Sequence, residues 1–294
     1  NPSVRTLVIS HTTRNISRMM KPIPLAGVLG NPIAQSKSPR LHRHWLRKYG
    51  LLGDYVPLHV TEENLETVVR AMPKMGFVGA NVTLPHKIAV MQFADQITDR
   101  ATLIGAANTL TFKDDGKIIA DNTDGYGFMA NLKQNAPDWD PTSGPAVLLG
   151  AGGAARAIIV ALADAGVTEI LLTNRTRTKA DALRAEFGTR IRVVDWVQAG
   201  NILEGAATVI NSTSLGMTGN AALRIPLDGL TKGTLVTDIV YSPLRTRLLE
   251  EAETAGCTVV DGLGMLLHQG VPGFERWFGV RPEVDDKTRQ AVLG

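Results

Sequence analysis

Apolar residues along this chain occur in short runs, and these runs alternate with longer stretches in which apolar positions recur at helical spacing. Short runs rich in Val, Ile and Leu and bounded by turn residues are typical of buried strands. Strands that alternate with helices form a mostly parallel sheet with helices on both faces. The pattern therefore predicts an α/β protein.

The predicted elements fall into two groups. The first has strands at residues 24–29, 55–60 and 78–84, a hairpin of strands at 108–112 and 117–120, and helices at 38–49, at 61–72 and from Pro85 onward. The second has strands at residues 146–149, 169–173, 190–194, 207–211, 235–241 and 257–260, with helices at 154–165, 178–187 and 246–255. Residues 135–145 between the groups are rich in Pro, Asn and Asp, which indicates a junction between two lobes.

The charge distribution argues against a nucleic-acid partner. The sequence pI is near 9.0, but residues 1–22 carry four cations and no acid, so the rest of the chain has a net charge of −1. A nucleic-acid-binding domain is expected to carry a basic face rather than a short basic segment. We interpret residues 1–22 as a basic surface arm and not as an organelle transit peptide, because the segment is not strongly amphipathic.

Other compositional features exclude further classes of protein. No apolar run approaches the roughly 20 residues that span a bilayer, so no membrane partner is expected. The single cysteine, Cys257, lies in a strand-like run and is expected to be a small core residue. The first group of elements has no metal-ligand cluster, so no metal is predicted. With no cysteine framework and no secretory signal, we expect a cytoplasmic protein.

A glycine-rich turn follows the predicted strand at residues 146–149. It contains Gly150, Ala151, Gly152, Gly153 and Ala154 and fits the pattern G-x-G-x-x-[GA]. The first glycine permits a tight turn, the second lets the backbone approach a pyrophosphate, and the third small residue lets the helix pack closely. A plain strand-to-helix turn is the alternative. The strand before and the helix after are the context that the motif requires, so the turn predicts a dinucleotide site.

The end of the next predicted strand indicates which dinucleotide binds. An NAD enzyme would carry Asp or Glu here for the ribose 2′-hydroxyl, whereas this chain has Asn174, Arg175 and Thr176. A guanidinium at Arg175 suits the dianionic 2′-phosphate of NADP(H). Arg177 and Lys179 are either further phosphate ligands or solvated surface charges.

Polar clusters follow the predicted strands of the first group. Ser36 and Ser38 precede a helix, whose N-terminus is a natural seat for a carboxylate, although Ser38 can also act as a helix cap. Lys87 is predicted to lie in the first turn of the helix after Pro85. There the positive end of the helix dipole favours a neutral amine that is suited to acid–base chemistry. Asp124 follows a further strand and can either cap a helix or take part in chemistry.

Taken in order, these clusters resemble the motifs of the shikimate dehydrogenase family over nearly the whole chain after residue 23. The segments are GNPIAQSKSP (30–39), NVTLPHK (81–87), GAANTL (105–110), DNTDGYG (121–127), GAGGAARA (150–157), NRTRTKA (174–180), NSTSLGM (211–217), DIVYSPLRT (238–246) and DGLGMLLHQG (261–270). The resemblance implies NADPH-dependent reduction of 3-dehydroshikimate to shikimate, a step toward chorismate and the aromatic amino acids.

The resemblance also implies an architecture. An N-terminal substrate-binding lobe would comprise residues 1–123 and 262–294, and a Rossmann-type NADP-binding lobe would comprise residues 124–261. The C-terminal helices would return to the first lobe through a flexible crossing at residues 262–264. Pro272 is expected to interrupt the helix that begins near Met265.

Roles come with the resemblance residue by residue. Lys87 would donate the proton, and Asp124 would orient Lys87 and help to relay the proton. The implied substrate-binding residues are Ser36, Ser38, Thr83, Lys87, Asn108, Asp124, Tyr241 and Gln269. The implied cofactor-binding residues are Gly150, Ala151, Gly152, Gly153, Ala154, Asn174, Arg175, Thr176, Arg177, Lys179, Ile239, Gly262 and Asp99, although Asp99 is better explained as a helix cap.

Two other functions remain open from the sequence. A quinate/shikimate dehydrogenase using NAD or NADP would share the carboxylate seat and the Lys87–Asp124 pair, but Arg175 and, more weakly, Ser36 argue against it. A non-catalytic NADP(H)-binding module would need the cofactor site without that pair. The expected partner is a small-molecule substrate, and the chain is expected to be a monomer or a homodimer.

Overall fold

The computed structural model describes residues 22–294, and the predicted basic arm lies outside them apart from Pro22. The chain forms two six-stranded sheets. The first sheet contains β1 (Leu25–Gly30), β2 (Asp54–His59), β3 (Gly79–Val82), β4 (Gln96–Ile97), β5 (Thr109–Phe112) and β6 (Ile118–Asp121). The second contains β7 (Ala146–Leu149), β8 (Ile170–Thr173), β9 (Ile191–Val193), β10 (Thr208–Asn211), β11 (Leu235–Asp238) and β12 (Thr258–Val260).

The first sheet is mixed, with the strand order β2-β1-β3-β5-β6-β4. Strand β1 pairs in parallel with β2 and β3, and β3 pairs antiparallel with β5. Strands β5 and β6 form the predicted hairpin. The helices of this lobe are α1 (Ser38–Lys48), α2 (Leu65–Ala71) and α3 (Asp99–Ile104). The predicted helix at residues 61–72 is shorter than expected, because a 3-10 turn precedes α2 and another follows it.

The second sheet is parallel throughout, with the order β12-β11-β10-β7-β8-β9. Its helices are α5 (Gly153–Asp164), α6 (Arg177–Phe187) and α7 (Arg247–Thr254). The chain proceeds outward from β7 to β9 and then returns to β10 on the other side of β7. The strand order therefore reverses beside β7, and ligands of such sheets bind at that point. This confirms the predicted Rossmann-type lobe.

The last two helices, α8 (Leu263–Phe278) and α9 (Asp286–Leu293), pack on α1 of the first lobe. Their shared core contains Leu41 and Trp45 from α1, Phe274 from α8 and Val292 from α9, all fully buried or nearly so. Helix α4 (Asp124–Asn135) packs against both α8 and α5, so it lies where the two lobes meet. The residue boundaries of the lobes stay a prediction.

The crossing back to the first lobe is packed, and the expectation of a flexible crossing is wrong. Gly262 is the residue before α8, and Leu263 is fully buried. Asn131 of α4 donates from Nδ2 to the carbonyl of Asp261 at 2.8 Å, and a Cβ at Gly264 would overlap the Asn131 side chain. Close packing against α4 therefore fixes the crossing. Helix α8 also continues through Pro272, which the sequence predicted as an interruption.

Two observations concern membrane-spanning helices and metal ligands. Within residues 22–294, no helix combines the length and the apolar character needed to cross a bilayer. The same part of the chain contains no group of three or more His, Cys, Asp or Glu side chains arranged to hold a metal ion.

Candidate active site

An ion pair joins Lys87, from the loop after β3, to Asp124, the first residue of α4. Lys87 Nζ lies 2.6 Å from Asp124 Oδ2, and the two side chains are 15% and 6% exposed. A largely buried pair of this kind is costly to maintain, because both ions lose water when they are buried. The structure thus brings together the two residues for which the sequence predicted a proton-transfer role.

The predicted helix around Lys87 is absent, so the helix-dipole argument for a neutral amine does not apply. Residues 83–86 form a turn in which the His86 N–H donates to the Thr83 carbonyl at 2.9 Å, and the helical segment that follows is a short 3-10 helix, Ala89–Phe93. The carbonyl of Lys87 accepts a hydrogen bond from the N–H of Ala107 at 2.8 Å. A neighbouring backbone segment therefore holds Lys87, and its charged partner is Asp124.

Asn108, the residue before β5, connects the ion pair to two other parts of the chain. Its Nδ2 lies 2.9 Å from Asp124 Oδ1, 2.9 Å from Thr123 Oγ1 and 3.2 Å from Gln269 Oε1. Its Oδ1 accepts the Thr123 N–H at 2.8 Å. These bonds fix the Asn108 amide, and they place Gln269 of α8 beside the pair.

The loop between β1 and α1 contains Ser36 and Ser38. The N–H of Ser38 donates to Ser36 Oγ at 3.3 Å, and Lys37 rather than Ser38 occupies the position that caps α1. Tyr241 reaches this loop from the second lobe: burial raises the pKa of its phenol, and a hydrogen bond from the Lys37 N–H partly lowers it. The predicted carboxylate seat is thus assembled from residues far apart in the chain.

Thr83 closes the same side of the site. Its N–H donates to the Leu29 carbonyl at 2.9 Å. The N–H of Asn31, in the loop between β1 and α1, donates to the Leu84 carbonyl at 3.0 Å, so that loop and the loop that carries Lys87 are in contact.

The glycine turn lies directly opposite Lys87. Gly150 has φ of +109°, and a Cβ there would lie 2.7 Å from Ser212 Oγ. Gly152 precedes α5 without any side-chain cap, and a Cβ on it would meet nothing within 4 Å. A Cβ on Gly153 would lie 3.5 Å from Lys87 Cδ. The free N–H groups of α5 therefore face open space next to the ion pair, which fits a bound pyrophosphate.

The segment after β8 carries the cations Arg175, Arg177 and Lys179, and Arg175 is at the position expected for the 2′-phosphate. Arg175 is exposed and makes no salt bridge within residues 22–294. Arg177 pairs with Asp195 and lies 3.6 Å from Asp181, so its charge is already partly satisfied. Asn174 Nδ2 donates to the Thr176 carbonyl at 2.8 Å, which shapes the turn before α6. Lys179 is exposed on α6.

Ile239 and Gly262 lie next to each other in space, although they are far apart in the chain. The Ile239 N–H donates to the Asn211 carbonyl at 3.0 Å, and a Cβ on Gly262 would collide with the Ile239 backbone.

Asp99 is the exposed first residue of α3, and Thr98 caps that helix by accepting the Ala101 N–H at 3.2 Å. The expectation that Asp99 caps a helix is therefore wrong, because the cap is the preceding residue, Thr98.

Family models of known proteins match three segments that together cover most of the described chain. Residues 28–110 match the shikimate dehydrogenase substrate binding domain, residues 133–218 match shikimate / quinate 5-dehydrogenase, and residues 262–293 match the shikimate 5′-dehydrogenase C-terminal domain. The chain belongs to the shikimate dehydrogenase family. Relatives named shikimate dehydrogenase (NADP(+)) include one from Ruegeria sp. strain TM1040, 65% identical over 92% of this chain and 98% of the relative. Another, from Paracoccus denitrificans, is 64% identical over 93% and 97%.

Solved structures of the family are also similar. A shikimate 5-dehydrogenase from Thermus thermophilus, in complex with NADP(H) and shikimate, is 36% identical with a TM-score of 0.82 and covers 92% of this chain and 98% of its own. A quinate dehydrogenase from Corynebacterium glutamicum in complex with NAD is 29% identical with a TM-score of 0.84, and covers 92% and 98%.

Several side chains at this site were not predicted from the sequence. Tyr55 is fully buried, and its hydroxyl donates to Asn81 Oδ1 at 2.7 Å, while Asn81 Nδ2 donates to the Asn108 carbonyl at 3.2 Å. Thr123 donates from Oγ1 to the Gln269 carbonyl at 2.8 Å. Asn81 and Thr123 lie inside quoted motifs and were detectable there, whereas nothing in the sequence around Tyr55 indicates its contact.

Gly150 and Gly152 are expected to respond differently to alanine. Gly150→Ala forces a side chain into a left-handed conformation and against Ser212, so we expect the unfolding free energy to fall by about 1–3 kcal/mol. Gly152→Ala meets no protein atom and is expected to leave stability unchanged while weakening NADPH binding. Thermal unfolding and NADPH titration of both variants test this. Unchanged NADPH affinity in Gly152→Ala would contradict a pyrophosphate at this turn.

Asp238, at the end of β11, is predicted to make stability depend on pH. Burial raises its pKa to about 6, although hydrogen bonds from the Val240 N–H, Thr246 and Asn211 lower it. Because this pKa lies above the ordinary value of 3.8, the protonated carboxyl stabilises the folded state below pH ~4. This contribution is lost as pH rises through about 6.

The variant Asp238→Asn removes this titration. Relative to it, the unchanged protein is expected to lose up to about 3 kcal/mol of unfolding free energy between pH 4 and 7, since each pKa unit corresponds to about 1.4 kcal/mol. Urea unfolding across this range measures the difference, with the exposed Asp228→Asn as control. A difference that stays constant with pH would refute the prediction.

Proposed function

We propose that this chain is an NADP-dependent shikimate dehydrogenase that reduces 3-dehydroshikimate reversibly to shikimate. The observation that carries the proposal is the position of the Lys87–Asp124 pair directly beside the glycine turn, next to Gly153. A nucleotide-binding module without catalytic activity has no need of a largely buried ion pair at this place. The relatives named shikimate dehydrogenase (NADP(+)) support the same activity.

The residues of the second lobe fit NADP(H). Gly150 permits the tight turn, and Gly152 leaves room for a pyrophosphate beside Gly153 at the N-terminus of α5. Arg175 makes no salt bridge within the described residues and would bind the 2′-phosphate. Ile239 and Gly262 form a continuous wall on which the nicotinamide would rest. The cofactor supplies the hydride, and the protein supplies position and the proton.

The first lobe would bind the substrate. Ser36, Ser38 and Tyr241 offer hydroxyls at the carboxylate end, and Thr83, Asn108 and Gln269 offer hydrogen bonds to the ring substituents. Lys87 would donate its proton to the substrate carbonyl oxygen as that oxygen gains negative charge. Asp124 holds Lys87 Nζ in place through the 2.6 Å contact and is in turn held by Asn108. Lys87 then recovers its proton from solvent.

The chain is further proposed to act in the cytoplasm on this small-molecule substrate, as a monomer or a homodimer. Sedimentation equilibrium at several protein concentrations distinguishes the two assembly states, and a larger assembly would contradict both.

NADPH oxidation with 3-dehydroshikimate tests the proposed activity. We expect turnover with NADPH, much weaker turnover with NADH, and little oxidation of quinate by NAD. If the protein binds NADPH but does not turn over 3-dehydroshikimate, the proposed activity is wrong. The result would then favour a non-catalytic NADP(H)-binding module. A preference for quinate and NAD would instead favour the activity named for the Corynebacterium glutamicum neighbour.

A further inference from the structure

The segment at residues 104–108, which joins α3 to β5, is attached to the catalytic pair at several points. The N–H of Ala107 donates to the Lys87 carbonyl at 2.8 Å, and Asn122 Nδ2 donates to the Ala106 carbonyl at 2.9 Å. Asn108 ends the segment and contacts Asp124. We call residues 104–108 the connecting segment. Its position therefore bears on where the Lys87 backbone and the Asp124 carboxylate lie.

Arg156 attaches the connecting segment to the nucleotide-binding helix. It lies in the first turn of α5, and its Nε donates to the Ile104 carbonyl at 2.7 Å. The guanidinium also pairs with Glu186 of α6 and lies 5.4 Å from the centroid of the Phe187 ring. The Arg156 side chain is only 14% exposed. The guanidinium is therefore engaged mainly by groups of the protein.

The surroundings are shaped to receive this side chain. Gly105 has φ of +74°, and a Cβ on it would overlap Arg156 Nη2. Ile104 and Ala106 from the first lobe form one buried cluster with Ala157 and other residues of the second lobe. The carbonyl of Ile104 lies at the end of α3, where helical carbonyls lack partners within the helix. A side chain from the other lobe supplies that partner.

We propose that Arg156 is a positioning residue that sets the distance between the nucleotide-binding turn and the Lys87–Asp124 pair; this rests on the proposed function. The route is short: Arg156 holds the carbonyl of Ile104, and Ala107, three residues later, holds Lys87. The first turn of α5 is fixed relative to the pyrophosphate site, because Gly153 belongs to the same turn. Arg156 thus couples the place where the cofactor binds to the place where the proton is donated.

The variant Arg156→Met tests the proposal, because it keeps an unbranched apolar stem and removes the guanidinium. A displacement of about 1 Å between reacting groups is enough to slow a reaction by ~10²-fold, so we expect the single-turnover rate constant for NADPH oxidation to fall ~10- to 100-fold. The Kd for NADPH and the KM for 3-dehydroshikimate should stay within about twofold, since no binding group is altered. A merely structural loss would lower the amplitude of the single turnover and leave its rate constant unchanged.

Three further variants sharpen the test. Arg156→Lys keeps the charge but not the planar fork, so it should not restore the rate. Gly105→Ala leaves Arg156 in place and displaces its guanidinium, so it should slow the reaction as Arg156→Met does, and the double variant should be no slower than the slower of the two. Arg184→Met is the matched control, because Arg184 Nη1 donates to the Ile191 carbonyl at 2.6 Å within one lobe. It should keep the rate constant.

The result that would overturn the proposal is a rate constant for Arg156→Met within about twofold of the unchanged protein, or equal losses in Arg156→Met and Arg184→Met. Failure of the proposed function would look different, because the unchanged protein itself would then show no turnover of 3-dehydroshikimate.

Discussion

Lys87→Ala is expected to lower kcat for 3-dehydroshikimate reduction by ~10²–10⁴-fold, the usual effect of losing a general acid. The reason is the place of the amine. Lys87 Nζ is held 2.6 Å from Asp124 Oδ2, and Lys87 Cδ would lie 3.5 Å from a Cβ on Gly153, next to the place where the cofactor would bind. In the variant, no side chain remains at that place to donate the proton, and an unpositioned water molecule would have to supply it.

The Kd for NADPH is expected to change little in Lys87→Ala, because the groups proposed to bind the dinucleotide lie mainly in the second lobe. Fluorescence titration with NADPH and steady-state kinetics on the same preparation measure both quantities. Lys133→Ala, which alters a lysine on α4 away from the pair, is the matched control and should leave kcat unchanged. A loss of NADPH affinity as large as the loss of kcat would show that Lys87 supports the cofactor site instead.

Arg175→Asp is expected to reverse the choice of cofactor. The guanidinium is exposed and makes no salt bridge within residues 22–294, so nothing in the described protein competes with a 2′-phosphate for it. A charge-assisted hydrogen bond of this kind contributes about 1.5–3 kcal/mol, and aspartate in the same place would repel the dianion. We therefore expect the KM for NADPH to rise ~10²-fold or more.

The KM for NADH should rise little or should fall, because an aspartate can accept a hydrogen bond from the ribose 2′-hydroxyl. Measuring both cofactors at saturating 3-dehydroshikimate gives the two ratios. Arg192→Asp, an exposed arginine on β9 of the same lobe, controls for the change in net charge. Equal rises in KM for NADPH and NADH would exclude Arg175 as the phosphate ligand.

The sequence predicted the second lobe more accurately than the first. Each strand of the parallel sheet is a short apolar run, and the glycine turn depends only on neighbours in the chain, so local pattern is sufficient there. In the first lobe, the predicted helix at Lys87 was wrong because the Lys87 carbonyl is bonded to Ala107, about 20 residues further along the chain. Local propensity carries no information about such a bond.

The same contrast applies to the candidate site. Ser36, Lys87, Asn108 and Asp124 were identified by their motifs, and the structure places Lys87, Asn108 and Asp124 in direct contact. The sequence does not predict which side chains form hydrogen bonds with them. Gln269 reaches Asn108 from a helix more than 150 residues away, because α8 returns across α4 to the first lobe.

The sequence by itself thus determined the α/β class, the glycine turn at Gly150, the cation at Arg175 and the residue types of the Lys87–Asp124 pair. All of these depend on side-chain identity and on spacing along a few residues. Only the tertiary structure decided that Lys87 is paired with Asp124 without a helix dipole, that the crossing after Gly262 is packed, and that Arg156 joins the two lobes. These features rest on contacts between segments far apart in the chain, where hydrogen-bond geometry and excluded volume, rather than local propensity, set the outcome.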